Sequence, residues 1–382
     1  MAEISLDDID LAWLRQRRTA KWTNYGADIL PAWIAEMDFP IAEPIRAALT
    51  QAIELDEFGY SPTDDQLLRT SCADFLARRY GWRVDPARIV GVPDGVEGVA
   101  AALRFYGGPV IVPTPCYPPF FDVISLLGEE IIEVPLRDGR LDRDGIARAL
   151  AAGARTLLLC NPHNPTGRVL TRAELADVAD LVADHHARVV SDEVHAPLIY
   201  PGNSHTPLAT IDPNLCATIM SASKAWNVAG LKCAQLILTN DDDFARWQAA
   251  SPFAVGGRSP LGIVATVAAY REGGDWLDHI LDYLDHNRAL LTDLLADLLP
   301  QISFRPPDGT YLAWLDCRPL GLTDPAAFFL EHARVALSDG RGFGRPGEGF
   351  VRLNFATSAG LLRQIVTAMS TAIHARGYGA TA

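Results

Sequence analysis

Seven short apolar segments in the middle of the chain constrain the fold most strongly. They are rich in Val, Ile and Leu and lack the polar alternation of a strand with one face in water. These candidate strands are Arg88–Val92, Pro109–Pro113, Glu130–Pro135, Thr156–Cys160, Arg188–Ser191, Thr218–Ser221 and Cys233–Thr239. Helical patterns separate them, and one begins with a capping box over Thr171–Glu174. The alternation predicts an α/β fold with a mostly parallel sheet that is covered on both faces.

The pattern changes in the C-terminal third of the chain. A long helical stretch runs from Leu261 to about Leu299, and a final helix ends at about Arg376. Between them lie apolar runs at Tyr311–Asp316, Phe328–Leu337 and Val351–Phe355. The 382 residues are enough for two domains. We predict a large domain over 46–280 and a smaller α+β domain formed by 1–45 and 281–382.

The net charge of the chain limits the kinds of partner that it can bind. The formal net charge is −14, and such a surface repels nucleic acid and anionic membranes. The sequence contains no apolar run of the roughly 18 residues that a membrane span needs. Met1–Asp10 carries four acidic residues and no basic one, which is not the pattern of a secretory signal or transit peptide. We expect a cytoplasmic protein that binds neither nucleic acid nor membrane.

Several motif classes are missing from the sequence. The six cysteines include no CxxC pair, which favours buried thiols in a reducing compartment over disulfides or a zinc ribbon. The nine histidines form no HExxH, so no metal site is predicted. The chain also contains no GxSxG elbow and no GxGxxG after a strand. Catalytic-serine and dinucleotide-binding interpretations therefore have no support.

The segment Ser221–Lys232 carries the strongest candidate for chemistry. Only three of the 33 basic residues are lysines, and two of these, Lys224 and Lys232, lie in this segment. A partly desolvated amine near a second cation has a lowered pKa and is nucleophilic. Ser221, Ser223 and Lys232 suit a phosphate. Taken alone, the motif is explained more simply by two surface lysines beside a turn.

Polar residues follow two further candidate strands. Asn164, in the turn 161–167, could donate a hydrogen bond to an oxygen on a ring. Asp192 ends an apolar strand, and a buried carboxylate there needs a donor such as a pyridinium N–H. An exposed Asp192–Glu193 pair that caps the strand is the alternative. His195 fits either a ring contact or an ordinary packed histidine.

Three more positions suit an anionic, flat ligand. Asp94–Gly98 enters an apolar helix, whose free N–H groups attract phosphate. Tyr117 could stack on a ring, although a core aromatic at a loop is the commoner situation. Arg352, between apolar residues, could hold a carboxylate bidentately or form a surface salt bridge.

In their order and spacing, these motifs resemble the fold-type I pyridoxal phosphate (PLP) enzymes of the aminotransferase class I/II superfamily, over nearly the whole chain. Within that superfamily the sequence is most similar to the MalY/PatB-type cystathionine β-lyases, also called cysteine-S-conjugate β-lyases. Four stretches carry this closer resemblance: Leu30–Phe39, Asn161–Gly167, Ser191–Tyr200 and Ser221–Leu231.

The resemblance implies roles around the cofactor. Lys224 matches the lysine that holds PLP as a Schiff base, and Asp192 matches the partner of the pyridine nitrogen. Asn164 matches the residue that bonds the phenolic oxygen, and Tyr117 matches the stacking aromatic. His195 stands where general aminotransferases usually have Tyr, a departure that the lyase subgroup shares.

The resemblance also implies a phosphate site and a substrate site. The residues that match the phosphate cup are Gly95, Val96, Ser221, Ser223 and Lys232. Tyr60 matches a tyrosine that reaches the phosphate of the neighbouring subunit in a homodimer. Arg352 matches the arginine that grips the α-carboxylate of an amino-acid substrate. Ala35 and Glu36 match the segment that lines the entrance, where relatives commonly have Asp in place of Glu36.

The implied fold has a large domain with a mainly parallel seven-stranded sheet and a smaller domain built from both termini. The implied reaction is β-elimination from cystathionine or another L-cysteine S-conjugate, giving a thiol, pyruvate and ammonia. An aminotransferase would use the same residues and stays open as an alternative. A regulatory protein with the PLP fold is a more remote one.

Overall fold

The computed structural model describes residues 6–62, 64–250 and 256–377. The described residues form thirteen strands, β1 to β13 in chain order, which are Leu30–Pro31, Ile89–Val92, Val110–Thr114, Ile131–Pro135, Thr156–Cys160, Arg188–Asp192, Cys216–Met220, Ala234–Leu238, Ser303–Phe304, Leu312–Asp316, Val335–Ala336, Ser338–Asp339 and Phe350–Asn354. They form sheets of seven, four and two strands.

The same part of the chain contains thirteen α-helices, α1 to α13 in the same order, which are Leu11–Leu14, Ala20–Thr23, Glu43–Glu54, Gln66–Tyr80, Gly95–Tyr106, Pro119–Leu126, Arg143–Ala151, Arg172–Asp184, Asp241–Ala249, Pro260–Glu272, Gly274–Leu298, Pro325–Phe328 and Ala359–Ala375. Short 3-10 turns lie at Leu6–Asp8, Pro86–Arg88, Leu208–Thr210, Ala229–Leu231, Arg318–Leu320, Gly340–Phe343 and Arg345–Gly347, and a π turn spans Phe329–Ala333. None of the described helices combines the length and apolarity that crossing a membrane requires.

The seven-stranded sheet confirms the α/β prediction. Its order is β2-β8-β7-β6-β5-β3-β4, and β8 alone runs antiparallel to its neighbours. Every residue of β3, β5, β7 and β8 is buried, as expected for strands with helices on both faces. The predicted strands agree with the observed ones to within two residues. The capping box at Thr171 and Glu174 is also confirmed at the start of α8.

Strand direction places many loops at one edge of this sheet. Strands β3, β5, β6 and β7 are parallel, so their carboxyl ends meet there. Because β2 and β7 are both antiparallel to β8, the end of β2 and the start of β8 lie at the same edge. Ligands of open α/β sheets bind at this edge.

The N-terminal segment packs with the C-terminal part of the chain. Strand β1 pairs in parallel with β11, with Leu30 opposite Val335. The four-stranded sheet β12-β13-β10-β9 carries Arg352 on β13, between Trp314 and Ser338 of the neighbouring strands. The predicted division into 46–280 and the two terminal ranges stays a prediction, and those ranges include residues outside the described part.

The long helix predicted from Leu261 to Leu299 is wrong in one respect. The chain forms two helices, α10 and α11, which are separated at Gly273. The carbonyl of Gly273 accepts a hydrogen bond of 2.9 Å from the indole of Trp226. A side chain on Gly273 would collide with that indole, so this contact from the turn after β7 accompanies the break.

We predict that Gly262→Ala destabilises the protein by about 1–3 kcal/mol, the usual cost of overpacking. Gly262 lies on α10 against the turn Ala229–Leu231, and an added methyl group would overlap the carbonyl oxygen of Leu231. Urea unfolding measures the change. Gly274→Ala is the matched control, because a methyl group there meets open space and should leave stability within about 1 kcal/mol. Equal effects of the two substitutions would contradict this packing argument.

Candidate active site

Lys224 lies just beyond the carboxyl end of β7. Its amine Nζ donates a hydrogen bond of 3.1 Å to the backbone carbonyl of Ala35. Burial, and then the positive charge of Arg352, lowers the pKa of Lys224 to about 8. At pH 7 about a tenth of the amine is therefore neutral and available as a base or nucleophile, far more than for an ordinary lysine.

The turn that carries Lys224 is held by two serines. The Ser221 hydroxyl donates to the carbonyl of Cys233 at 3.0 Å and accepts the backbone N–H of Ser223 at 3.0 Å. Ser221 therefore lies outside β7, one residue beyond the end of the strand, and not inside it as predicted. Its hydrogen bonds tie the end of β7 to the start of β8.

Asp192 ends β6 with a buried carboxylate. One oxygen accepts the backbone N–H of Val194 at 3.2 Å, and the thiol of Cys160 lies 4.0 Å from the other. Burial raises the pKa of Asp192 to about 7. Within the described residues, no Lys, Arg or His forms an ion pair with this carboxylate. An exposed cap on the strand is thus excluded, and the group suits a cationic N–H donor.

Arg352 is buried and does not form the surface salt bridge that the sequence left open. One guanidinium nitrogen donates to Asn164 Oδ1 at 2.9 Å, and the other donates to the Trp33 carbonyl at 2.9 Å and to Ser338 Oγ at 3.1 Å. Its Nε is buried without a partner among the described residues. Burial lowers the pKa of Arg352 to about 10. All its described acceptors are neutral, so its charge suits an anionic ligand.

His195 and Tyr117 occupy the same region. Burial, and then the cations Lys224 and Arg352, lowers the pKa of His195 to about 3, so the imidazole is neutral. Its Nδ1 is buried without a partner in the described chain. Tyr117 is partly buried. Burial raises its pKa, the charge of Arg352 opposes this shift, and the charge of Asp192 adds to it. The two rings therefore line the space between the charged groups.

Three of the predicted phosphate residues, Gly95, Val96 and Lys232, lie at or beside the start of α5. Gly95 opens this helix, and the Asp94 carboxylate caps it by accepting the backbone N–H of Glu97 at 2.9 Å. The other oxygen of Asp94 accepts the Lys232 amine at 2.7 Å. This ion pair brings Lys232 beside Gly95 and Val96, although part of its charge is balanced by Asp94.

The remaining predicted residues lie in different places. Ala35 is buried, and its carbonyl accepts both Lys224 Nζ and the hydroxyl of Tyr311, each at 3.1 Å. The Glu36 carboxylate accepts the hydroxyl of Thr19. Tyr60 lies between α3 and α4 and is fully exposed, so the structure of one chain does not bring it into the site.

The sequence analysis missed three contributors. Tyr311 lies with its ring 6.1 Å from that of His195 and shares the Ala35 carbonyl with Lys224. Trp33 and Ser338 hold Arg352, and Ser338 also donates to the Trp33 carbonyl. Trp33 lies in the stretch Leu30–Phe39 that carries the resemblance, but the sequence analysis assigned it no role, and Tyr311 and Ser338 lie outside the four stretches. Only the meeting of distant segments reveals them.

A cavity of about 510 Å³ opens beside Arg352. Its walls include the aromatic residues Tyr25, Trp33, Tyr117 and Phe343, and Asp324, Asp339 and Arg341 add charge. The sequence model described as "Aminotransferase class I and II" matches residues 34–369, which contain all of these residues except Tyr25 and Trp33. The chain belongs to this family.

Proteins similar to this aminotransferase class I and II member carry lyase names. It is 38% identical to "Cystathionine beta-lyase" of Corynebacterium glutamicum, over 93% of this chain and 96% of that protein. It is 34% identical to "Cystathionine beta-lyase PatB" of Bacillus subtilis, over 92% and 97%. The structure of the PLP-bound C-S lyase from Staphylococcus hominis matches with a TM-score of 0.90 at 27% identity, over 97% and 98%. The predicted resemblance is confirmed.

The residues of this family member fit PLP. The cofactor carries a phosphate, a phenolic oxygen, a pyridine nitrogen and an aldehyde. The site offers a helix start with Lys232, an asparagine amide and a neutral histidine, the buried carboxylate of Asp192, and the amine of Lys224. The partnerless Nδ1 of His195 and the uncompensated charge of Asp192 mark positions where a polar ligand is needed.

We predict that Asp192→Asn stabilises the cofactor-free protein increasingly as pH rises. The pKa of Asp192 is raised from about 3.8 to about 7 in the folded state, so the folded form holds its proton where the unfolded chain has lost it. Stability from this carboxyl thus falls as pH rises toward 7. The advantage of the variant should grow by about 2 kcal/mol between pH 5 and pH 8 in urea unfolding.

The matched control is Asp278→Asn, which removes an exposed carboxylate paired with Arg79. Its effect should stay below about 1 kcal/mol and change little over this pH range. A pH-independent difference between Asp192→Asn and wild type would contradict the assigned titration.

Proposed function

We propose that this protein is a PLP-dependent carbon–sulfur β-lyase, which cleaves cystathionine or a related L-cysteine S-conjugate to a thiol, pyruvate and ammonia. The observation that carries the proposal is the meeting of Lys224, Asp192 and Arg352 at one buried site, where no described residue forms an ion pair with any of them. The lyase names of the relatives supply the choice of substrate class.

Arg352 binds the α-carboxylate of the substrate. Its guanidinium already has a fixed plane, since Asn164, Trp33 and Ser338 hold two of its nitrogens. A bidentate contact with a carboxylate then costs little reorganisation. The cavity beside Arg352 leaves space for the group on sulfur.

Asp192 would hold a proton at the pyridine nitrogen of the cofactor, where its buried carboxylate would gain the cationic donor that no described residue supplies. Asn164 and His195 contact the phenolic oxygen, and Tyr117 stacks on the ring. Gly95, Val96, Ser221, Ser223 and Lys232 hold the phosphate. PLP, when bound, acts as the electron sink for the bond that breaks at Cα.

Lys224 anchors the cofactor through its amine and removes the Cα proton of the substrate. Its pKa of about 8 suits a base that must be neutral at working pH and still accept a proton. The Cβ–S bond then breaks, and the thiolate leaves because thiols are acids of pKa about 8.5. Water converts the remaining three-carbon unit to pyruvate and ammonia, which balances the reaction.

We predict catalytic pyruvate and homocysteine from cystathionine with no keto acid present. Lys224→Ala should lower kcat by about 10²–10⁴-fold, the usual contribution of a positioned base. Assays of thiol and pyruvate with a panel of S-conjugates measure both. Lys21→Arg is unsuitable as a control because Lys21 is buried, so the exposed Arg345→Lys serves instead and should retain activity.

An aminotransferase would use the same residues, because removal of the Cα proton precedes both outcomes. Pyridoxamine phosphate that accumulates once per site, without thiol release, would favour amino transfer. Equal turnover by wild type and Lys224→Ala would contradict the role of Lys224 in both functions, whereas no turnover by wild type on any substrate would favour a regulatory protein.

We further propose a cytoplasmic homodimer whose two-domain subunits, divided as predicted from the sequence, complete each other's sites through Tyr60. The fully exposed ring of Tyr60 and the exposed apolar residues Ile53, Leu55, Phe58 and Leu67 near it support this surface as the contact between subunits. In such a dimer, each Tyr60 would reach the phosphate of the other subunit.

Mixing two inactive variants tests this arrangement. If Tyr60→Ala and Lys224→Ala subunits exchange at equal amounts, about half of the dimers are hybrids, and each hybrid has one intact site. We predict that turnover recovers to about a quarter of wild type, measured after refolding together. No recovery, with hybrid dimers shown by mass spectrometry, would mean that Tyr60 acts within its own chain.

A further inference from the structure

Lys21, the third lysine of the chain, is buried, although lysine side chains usually lie at the surface. It is 1% exposed and its partner Asp38 is 0% exposed. Their charged groups, Lys21 Nζ and Asp38 Oδ2, lie 2.9 Å apart. The indole of Trp22 donates to the other carboxylate oxygen at 3.0 Å. Nothing in the proposed reaction uses this ion pair directly.

The pair belongs to a set of contacts that holds the backbone of residues 34–38. Lys21 Nζ donates to the Glu36 carbonyl at 3.0 Å. Asn354 Nδ2 donates to the carbonyls of Ile34 and Glu36, each at 2.7 Å. The side chain of Asn227 bonds both the N–H and the carbonyl of Met37 at 2.8 Å. We call this segment, residues 34–38, the clamped segment.

Arg17 also binds the backbone of the clamped segment. Its guanidinium donates to the Met37 carbonyl at 3.2 Å and to the Asp38 carbonyl at 2.9 Å. All five carbonyls of the segment therefore accept hydrogen bonds from side chains. Such a set of contacts fixes backbone position more tightly than the packing of apolar side chains alone.

The second carbonyl of this segment, that of Ala35, holds the reactive amine. The Ala35 carbonyl accepts Lys224 Nζ and the Tyr311 hydroxyl, each at 3.1 Å. The next carbonyl along the chain, that of Glu36, is the one that Lys21 holds. A shift of Glu36 would move Ala35 with it, because the two share a peptide unit.

We propose that Lys21 and Asp38 are positioning residues for Lys224. The buried ion pair fixes the clamped segment, and the Ala35 carbonyl in turn orients the Lys224 amine toward the Cα proton of the substrate. The inference rests on the proposed role of Lys224 as the base.

Stability alone is a poor explanation for the pair. Burying two charges costs solvation free energy, and apolar replacement of a buried pair is often neutral or stabilising. A carbonyl held by an ammonium is instead fixed in direction. Misplacement of a catalytic group by about 1 Å can cost about 100-fold in rate, so a fixed carbonyl has a direct kinetic value.

The test compares Lys21→Met with Lys21→Met/Asp38→Asn. The single variant leaves the buried carboxylate of Asp38 without its ammonium partner, so the protein should be destabilised. The double variant removes that charge and should recover most of the lost Tm, but the Glu36 carbonyl still lacks its ammonium donor. The holoenzyme is assayed for exchange of the Cα proton of L-alanine with deuterium from the solvent, followed by NMR. This exchange reports Lys224 in a lyase and in an aminotransferase alike.

We predict that both variants exchange the Cα proton about 10- to 100-fold more slowly at saturating L-alanine, with the half-saturating concentration changed less than about threefold. Hydrogen exchange of the cofactor-free protein should accelerate at the amides of Glu36 and Met37 in both variants. This second measurement does not depend on any reaction.

Leu362→Ala is the matched control for lost stability. Leu362 is fully buried on α13, and its side chain has no polar group that could hold the clamped segment. When each protein is assayed at the same interval below its own Tm, Leu362→Ala should exchange the Cα proton at the wild-type rate. Rates of the double variant that equal those of Leu362→Ala, or amide exchange unchanged at Glu36 and Met37, would overturn the proposal. Wild type that exchanges Cα protons but releases no thiol would overturn only the lyase proposal.

Discussion

The common direction of four parallel strands is the constraint on which the site depends. Strands β3, β5, β6 and β7 end at one edge of the large sheet, and the antiparallel strand β8 begins there. Groups that are far apart in sequence, such as Asp192 and Lys224, are therefore delivered to one place by backbone hydrogen bonds that the core protects. The reactive side chains need only short turns to reach one another, and short turns hold them with little conformational freedom.

Burial gives these side chains their chemistry and costs stability at the same time. Desolvation moves the pKa of Lys224 down to about 8, of Asp192 up to about 7, and of His195 down to about 3. The three shifts have one physical cause, which disfavours whichever form is charged. A ligand with a ring nitrogen, an aldehyde and a phosphate would satisfy these groups together. The fold thus leaves buried polar groups without partners among the described residues, and a bound cofactor would supply those partners.

The N-terminal segment joins the two halves of this arrangement. The Trp33 carbonyl holds Arg352 of the small sheet, and two residues later the Ala35 carbonyl holds Lys224 beside the large sheet. The carboxylate grip and the base are therefore held by two carbonyls that lie two residues apart on one short stretch of backbone. The buried ion pair of Lys21 and Asp38 holds that stretch in place. Lys21 lies outside the site and in this way affects the position of Lys224 within it.

Local pattern in the sequence was sufficient for the strands, for the capping box at Thr171 and for the motif around Lys224. These depend on periodicity, on hydrogen bonds between near neighbours and on residue types with distinct chemistry. The break at Gly273, the neutral partners of Arg352, the role of Tyr311 and the pairing of Lys21 required the tertiary structure. Each arises where segments far apart in sequence meet; Met37 and Asn227, for example, are 190 residues apart. Composition made Lys21 conspicuous, but only the folded chain decided whether its charge faced water or a carboxylate, because burial is a property of the whole fold.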